Sequence, residues 1–354
     1  MALSQRGKVV AGIAAVVAVL LVGITAWALA TGRNPVDAVR ALPGVPDPEP
    51  PKCPLTGEDA PGGVIPDRPV AAVKVENTDD ARPQAGLERA DIVYEELVEG
   101  GITRFIAMYH CDDASIVGPV RSARTTDPDV LLQYGRPILA YSGGTGRVQK
   151  LIARSGVFDF NEDTGGDAFE RDAVRVEPHN LLVNTTKLRK VAGKKADRQP
   201  APEPPFTYGE WEDKSKKATD LTMTFSTLNT VGWEWSKKDD LWLRIDNGSP
   251  NVLENGDRVA APNVIVQFVK VSEGDIQDVT GSPSPEVTFT GAGKVYVFRD
   301  GRVIPGTWER NSLGDVTEFR AKDGGEIPLV PGQTWIELYP AKGDFTDASI
   351  DFGK

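Results

Sequence analysis

The chain has 354 residues, 26% of them charged, and a formal net charge of −11. Beyond residue 40 it carries 50 acidic against 36 basic residues, a net of −14, which argues against nucleic acid or anionic headgroups as general partners. With only two histidines and two cysteines, a histidine–cysteine metal site is not expected, and neither is a cofactor.

The first predicted element is the uncharged run from Val9 to Ala30, which matches the roughly 20 apolar residues a helix needs to cross a bilayer. Arg6 and Lys8 precede it, so residues 1–32 read as a cytoplasmic tip and a single transmembrane helix. Everything after it is then extracytoplasmic, held at the cell membrane. A cleaved signal peptide is the rival, since Ala28-Leu29-Ala30 fits a small-x-small cleavage site, but the run exceeds an h-region of about 7–15 residues. Flanking charge and the prolines that follow argue against a buried core helix. Residues 33–52, proline-rich from Pro43, form an extracytoplasmic linker. Outside the membrane Cys53 and Cys111 have two readings: one disulfide tying the end of the linker to the core, or two free buried thiols.

Residues 53–198 mix strand and helix patterns. Pro69–Glu76, Thr103–His110 and Ile138–Ser142 read as strands, and Ala90–Glu96 as a strand or the start of a helix. Helices are expected at Asp127–Tyr134, Arg147–Ala153 and His179–Val191. The proline cluster QPAPEPP at 199–205 marks the best internal boundary. From 207 to 354 the pattern turns mainly β. Strands are expected at Leu221–Phe225, Val231–Trp235, Leu241–Ile245, Asn263–Val271, Lys294–Arg299 and Thr334–Tyr339. Turn pairs such as Asn247-Gly248 and Asp300-Gly301 punctuate them. The expected fold class is therefore α/β (α+β): a layered α/β N-terminal part and a mainly β C-terminal part, preceded by one transmembrane helix. Most of the six C-terminal tryptophans (Trp211, Trp233, Trp235, Trp242, Trp308 and Trp335) alternate within strands, so they are read as core rather than as sugar-stacking platforms.

Several segments are distinctive: CPLTG at 53–57, RPVAAVKVEN at 68–77, ARPQAGLERADIVYEELVEGGITRF at 81–105 and VGPVRSARTTD at 117–127. PHNLLVNTTKL at 178–188, FRDGRVIPGTWER at 298–310 and PGQTWIELYP at 331–340 extend the set. Together they resemble the bacterial YerB-like family, known by its domain of unknown function DUF3048, over nearly everything from Cys53 onward. The resemblance implies an extracytoplasmic, membrane-attached protein of layered α/β fold with N- and C-terminal parts. It implies no reaction. Some members are lipoproteins; this chain departs from them in having a transmembrane run. A role near the cell wall is what the resemblance suggests.

The candidate site rests on Arg104, Arg121 and Arg124, with Ser122 between the last two, in an otherwise acidic protein. Arginine forks bind carboxylate or phosphate through parallel hydrogen bonds. The competing reading pairs these arginines internally with Glu95, Glu96 and Glu99. Glu95 and Glu99 are expected as orienting carboxylates. His179 and Asn180 open a predicted helix, where His179 could act on a ligand or the pair could simply cap the helix. The Ser142-Gly-Gly-Thr-Gly-Arg147 turn lacks a P-loop pattern; a plain tight turn is expected, with an anion cradle as the alternative. Asp159, Asn161, Asp163, Asp167 and Glu170 fall on calcium-loop positions, but Thr164 occupies the place of the required glycine, so a solvated acidic loop is favoured. The sequence thus favours a membrane-anchored envelope protein that binds an anionic wall component such as peptidoglycan, or a wall-synthesis protein. A hydrolase of an envelope polymer, with His179 or Glu95 as base, is the alternative; a scaffold without ligand is the third reading.

Overall fold

The segment AAVKVEN is buried along its whole length and forms strand β1 (Ala71–Asn77). The next two strands, β2 (Ile92–Leu97) and β3 (Thr103–Tyr109), are likewise buried throughout. Strands covered on both faces lose the in–out alternation that identifies a half-buried strand, which is why ADIVYEE could be read two ways. The computed structural model describes residues 49–196, 198–211, 215–278, 281–343 and 349–353. The expected membrane-crossing run at 9–30 and most of the linker lie outside them. Among the described residues no helix is long and apolar enough to cross a membrane.

After β3, helix α1 (Asp127–Leu131) starts at Asp127 with Pro128 in its first turn and runs into a 3-10 turn, Leu132–Tyr134. Strand β4 (Ile138–Tyr141) leads through a glycine loop into α2 (Gly146–Ser155), whose N-cap Thr145 accepts from the Val148 amide. Strand β5 (Phe158–Asn161) follows, then a hairpin of β6 (Phe169–Arg171) and β7 (Leu181–Val183), then α3 (Thr185–Ala196). The helix expected over His179–Val191 therefore needs correction. Leu181–Val183 pairs with Phe169–Arg171, and the helix begins at Thr185. Its cap is Asn184, whose Oδ1 accepts from the Lys187 amide at 2.8 Å. The apolar LLV run prefers a buried sheet edge to a helix start.

The second half supplies β8 (Lys216–Lys217), β9 (Asp220–Ser226), β10 (Asn229–Ser236), β11 (Leu241–Asp246), β12 (Ser249–Pro250) and β13 (Ala260–Ala261). It continues with β14 (Asn263–Gln277), β15 (Pro283–Thr288), β16 (Gly291–Arg299), β17 (Arg302–Arg310) and β18 (Glu318–Ala321). The last two strands are β19 (Thr334–Gly343) and β20 (Ser349–Phe352). Asn247-Gly248 and Asp300-Gly301 both hold positive φ at two successive residues, the geometry of tight hairpin turns.

Two main sheets result. The larger has twelve strands, ten of them in the order β18-β17-β16-β14-β19-β2-β3-β1-β4-β5. β19 runs parallel to both β14 and β2, with Thr334 opposite Ile92 and Glu337 opposite Glu95. The expected parts 53–198 and 207–354 therefore share one sheet, and residues 51–354 pack as one compact unit across the 199–205 prolines. The six-stranded sheet built on β9, β10 and β11 covers one face, burying Trp233 and Trp242 against Trp335 and Phe105. On the opposite face α1 and α2 bring Val130, Leu131, Val148 and Ile152 onto Leu139 and Tyr141. Trp233, Trp242, Trp308 and Trp335 are all core residues. A disulfide joins Cys53 to Cys111, with Cα atoms 6.0 Å apart, so the end of the linker is fastened just beyond β3.

Candidate functional site

In antiparallel pairs, directly opposed residues share a face. Glu76 on β1 and Glu96 on β2 both lie opposite Arg104 on β3, so the three form a row on the helix-covered face. Beyond Val73, where β4 stops pairing with β1, the segment 118–121 takes over that edge: the Glu76 amide donates to Pro119 O and the Arg121 amide to Lys74 O, both at 2.9 Å. This strap delivers Arg121, Ser122 and Arg124 to the carboxyl end of β1. There Ser122 O accepts from Arg104 Nη1 at 3.1 Å and from Arg124 Nη1 at 3.2 Å. The three arginines expected from the sequence thus meet around one residue.

Their partners differ. Arg124 is fully engaged: Nε donates to Glu99 Oε2 at 2.8 Å, and Nη1 also reaches Ala123 O at 2.8 Å. Arg121 places Nε 3.1 Å from Glu76 Oε1, off the hydrogen-bond line, and its side chain stays a quarter exposed. His179 Nδ1 lies 2.8 Å from the other Glu76 oxygen. Arg104 is 8% exposed, and among the described residues no carboxylate is within ion-pairing distance of it. Its Nε is buried without an acceptor. Burial, reinforced by the neighbouring Arg124 charge, pulls the Arg104 guanidinium down to about 9. Desolvation and like charge both disfavour a cation, and the Glu99 and Glu76 charges oppose that pull without reversing it.

Beneath the strap, Lys74 pairs with Glu96 and with Asp127, the latter at 2.7 Å, and all three are buried. Thr126 Oγ1 donates to Glu96 at 2.6 Å, and Asp127 Oδ2 accepts the Arg124 amide at 2.7 Å. Burial pushes Asp127 up to about 6 against the pull of Lys74. Burial also opposes the Glu96 charge, but Lys74 outweighs it and holds that carboxyl below its ordinary value. The trio anchors the arginine strap to the sheet. Sequence reasoning missed Lys74, Glu76 and Asp127. The available signal was KVE inside a strand too apolar to be an edge: alternate charged residues there must face partners.

Other expected members lie elsewhere. Glu95 is one residue from Glu96, so its side chain points to the opposite face, between the two sheets. It is fully buried there, bonded by Arg244 at 2.6 Å, Thr103 at 2.5 Å and Asn77 at 3.2 Å. It neither orients the arginine cluster nor faces a polymer. Asn180 closes the β6–β7 hairpin, accepting from Arg171 at 2.8 Å. His179 reaches the cluster only through Glu76, and it also lines a groove of about 720 Å³ with Arg82, Arg175 and Glu177, to which the three arginines do not contribute. Among the described residues no serine, threonine or cysteine is bonded to its ring. In the calcium-loop segment Asn161 Oδ1 accepts the Asp163 and Thr164 amides at 3.0 and 3.1 Å. Asp159 lies in β5 and Asp163, Asp167 and Glu170 are exposed. Among the described residues no three histidine, cysteine or carboxylate side chains converge as a metal site would need.

Comparison with known proteins gives a consistent result. The family described as "Protein of unknown function (DUF3048) N-terminal domain" matches residues 55–199, and its C-terminal domain counterpart matches 221–336. A Bacillus subtilis (strain 168) protein named "Putative lipoprotein YerB" is 31% identical over 309 residues, 86% of this chain and 89% of that protein. The crystal structure of the YerB protein from Bacillus subtilis matches with a TM-score of 0.71 and 30% identity, covering 85% of this chain and 99% of that one.

Proposed function

We propose a function from one premise: the chain belongs to the DUF3048 family. Residues 51–354 form a binding module at the outer face of the cell membrane. The module captures an anionic group of the cell envelope, carried by a wall component or a wall-synthesis partner, with Arg104 and Arg121. Arg124 and Glu99 position the strap, and Glu76 with His179 sets the place of Arg121. Two features support membrane attachment: the apolar run at 9–30, and a relative whose name describes a lipoprotein. Either a helix or a lipid holds a folded domain at a bilayer.

The observation that carries the reading is the buried Arg104 guanidinium with no carboxylate within ion-pairing distance among the described residues. A buried charge without a partner is expensive, and an anionic ligand would supply what the fold omits. Binding is favoured over hydrolysis because His179, although oriented by Glu76, has no nucleophile bonded to it.

The test incubates the full chain, in neutral detergent, with labelled cell-wall sacculi. The expected result is co-sedimentation without soluble fragments, weakened at least tenfold in Arg104→Met. Release of fragments would transfer the argument to a hydrolase. Absence of sedimentation, or equal sedimentation of the variant, would overturn the reading.

A further inference from the structure

The glycine loop between β4 and α2 lies against the arginine strap. The Ser142 amide donates to Arg121 O at 3.0 Å and the Ala123 amide to Gly143 O at 3.3 Å. A Cβ on Gly143 would lie 3.2 Å from Ser122 Oγ, so the two loops are in contact. Past Ser142 the amides change character. Among the described residues, none of the five successive N–H groups from Gly143 to Arg147 has a protein acceptor; the first satisfied ones are Val148, on Thr145 Oγ1, and Gln149, on Thr145 O. Gly143 and Gly144 hold φ of 78° and 143°, which lets consecutive amides turn toward a common point. The first turn of the ten-residue α2 adds the positive end of a helix dipole.

Free helix amides alone are commonplace. Beside them here is Arg104, more than nine-tenths buried, donating through Nη1 to Ser122 O while its buried Nε lacks an acceptor. Two features from different parts of the chain, each with donors that lack a protein acceptor, therefore meet at Ser122. Two carboxylates reach this loop and both are engaged: Glu162 accepts from the Ser142 hydroxyl at 3.1 Å and from Arg171 at 3.1 Å, and Asp275 accepts from the Arg147 side chain at 2.8 Å.

We infer that the loop 143–147 and Arg104–Arg121 are two halves of one oxyanion site, and that its ligand is a phosphoryl group. This rests on the proposed function and narrows it from any anion to phosphate chemistry. A carboxylate offers two oxygens in one plane, which a single arginine fork saturates. A tetrahedral phosphoryl group offers three or more oxygens pointing apart, enough to take guanidinium donors on one side and backbone amides on the other. No bond is made or broken.

Gly146 allows a clean test. It is the first residue of α2, a Cβ there meets nothing within 4 Å, and Thr145 before it is extended at φ −64° and ψ 153°. Proline is tolerated at this helix position and its predecessor already has the conformation that proline requires. Gly146→Pro therefore deletes one N–H with the helix kept, and Gly146→Ala adds a side chain but keeps the N–H. Calorimetry of the full chain in neutral detergent would use inorganic phosphate, glycerophosphoglycerol and acetate as probes. Either phosphate probe is expected to bind at least tenfold tighter than acetate, and Gly146→Pro to bind it at least tenfold more weakly than Gly146→Ala. Preference for the diester points to a lipid-like or polymer-borne source, and preference for inorganic phosphate to a free phosphate or monoester. If phosphate binding falls in Arg104→Met but is equal in the two Gly146 variants, or if acetate binds as well, this inference is overturned while the anion-binding reading stands. If the parent binds no anion, or Arg104→Met binds like the parent, both fall. Should Gly146→Pro fail to fold, selective ¹⁵N-glycine labelling of the parent decides the same question: phosphate must shift the Gly143, Gly144 and Gly146 amides, and unmoved resonances overturn the proposal.

Discussion

Removing the Arg104 charge is expected to make the protein more stable while it loses its ligand. Arg104 is held down at about 9, roughly 3 to 4 pK units below an ordinary arginine. At about 1.36 kcal/mol per pK unit, the fold opposes this cation by an upper bound of about 5 kcal/mol. Arg104→Met removes that opposition and keeps most of the buried volume. It also loses the bond to Ser122 O, which Arg124 still satisfies, and charged hydrogen bonds contribute about 1.5–3 kcal/mol. The net expectation is a gain of about 1–3 kcal/mol. Because the folded-state pKa is depressed, the opposition is complete below about pH 9 and fades as pH rises above it, so the variant's advantage is constant through neutral pH. Urea unfolding followed by tryptophan fluorescence measures it, Trp233 and Trp335 being fully buried. Ligand linkage supplies the second half of the assay: phosphate at ten times its dissociation constant should stabilise the parent by about 1.4 kcal/mol and the variant not at all. A variant less stable than the parent by more than about 1 kcal/mol would mean that Arg104 is already satisfied, and the reasoning fails.

Three further outcomes follow from the interior. Arg244 is wholly buried between the sheets, bonded to Glu95 at 2.6 Å, Asp246 at 2.9 Å and Glu337 at 3.2 Å, with the Phe105, Trp233 and Trp335 rings 4.9–5.4 Å away. Arg244→Met leaves Glu95 and Asp246 uncompensated and should lose at least about 3–5 kcal/mol in urea unfolding; a loss below 1 kcal/mol would contradict the network. Burial, with Glu95 beside it, pushes Glu337 well above its ordinary range, so the folded state holds a proton there that the unfolded chain releases above about pH 4.5. Stability should therefore fall as pH rises above that value, and Glu337→Gln should flatten the slope and cost under about 1 kcal/mol at pH 7. An unchanged slope would reassign the proton. Cys53→Ser opens a cross-link spanning 58 residues. The chain-entropy estimate for such a loop is about 4 kcal/mol, and a midpoint that is the same with and without reductant in the parent would show that the bridge does not form.

Much of the fold was legible because its turns and strands carry local chemistry. The Asn-Gly and Asp-Gly pairs mark hairpins, and the strands expected at Leu221–Phe225, Val231–Trp235 and Leu241–Ile245 lie within β9, β10 and β11. The sharing of one sheet by both halves was not legible, since pairing of β19 with β2 is a contact between residues about 240 positions apart in sequence, and no local pattern encodes it. The helix boundary at 179–191 failed because His179-Asn180 and Asn184-Thr185 are equally good capping signals, and only tertiary pairing of Leu181–Val183 decides between them. The arginines could be named because arginine is conspicuous beside short apolar strands in an acidic chain. Their partners could not: in a strand buried on both faces, Glu95 and Glu96 look alike, and parity is set by neighbours distant in sequence.

That parity carries the functional argument. The same sheet holds two buried arginines' worth of charge on opposite faces, and it treats them differently. Between the sheets, burial works against the Arg244 cation, but Asp246, Glu95 and Glu337 more than offset it and raise its pKa. On the other face Arg104 is nearly as buried and has two arginines beside it, and the Glu99 and Glu76 charges, neither of them within ion-pairing distance, do not make up for burial. The fold thus contains a worked solution to the problem of a buried guanidinium and does not apply it at Arg104, where Glu99 is committed to Arg124 and Glu76 to Arg121 and His179. A purely structural arginine at that position would be replaced by leucine or methionine with a gain in stability. Retaining a destabilising cation beside five amides that have no protein acceptor is the arrangement expected where the missing anion arrives from outside.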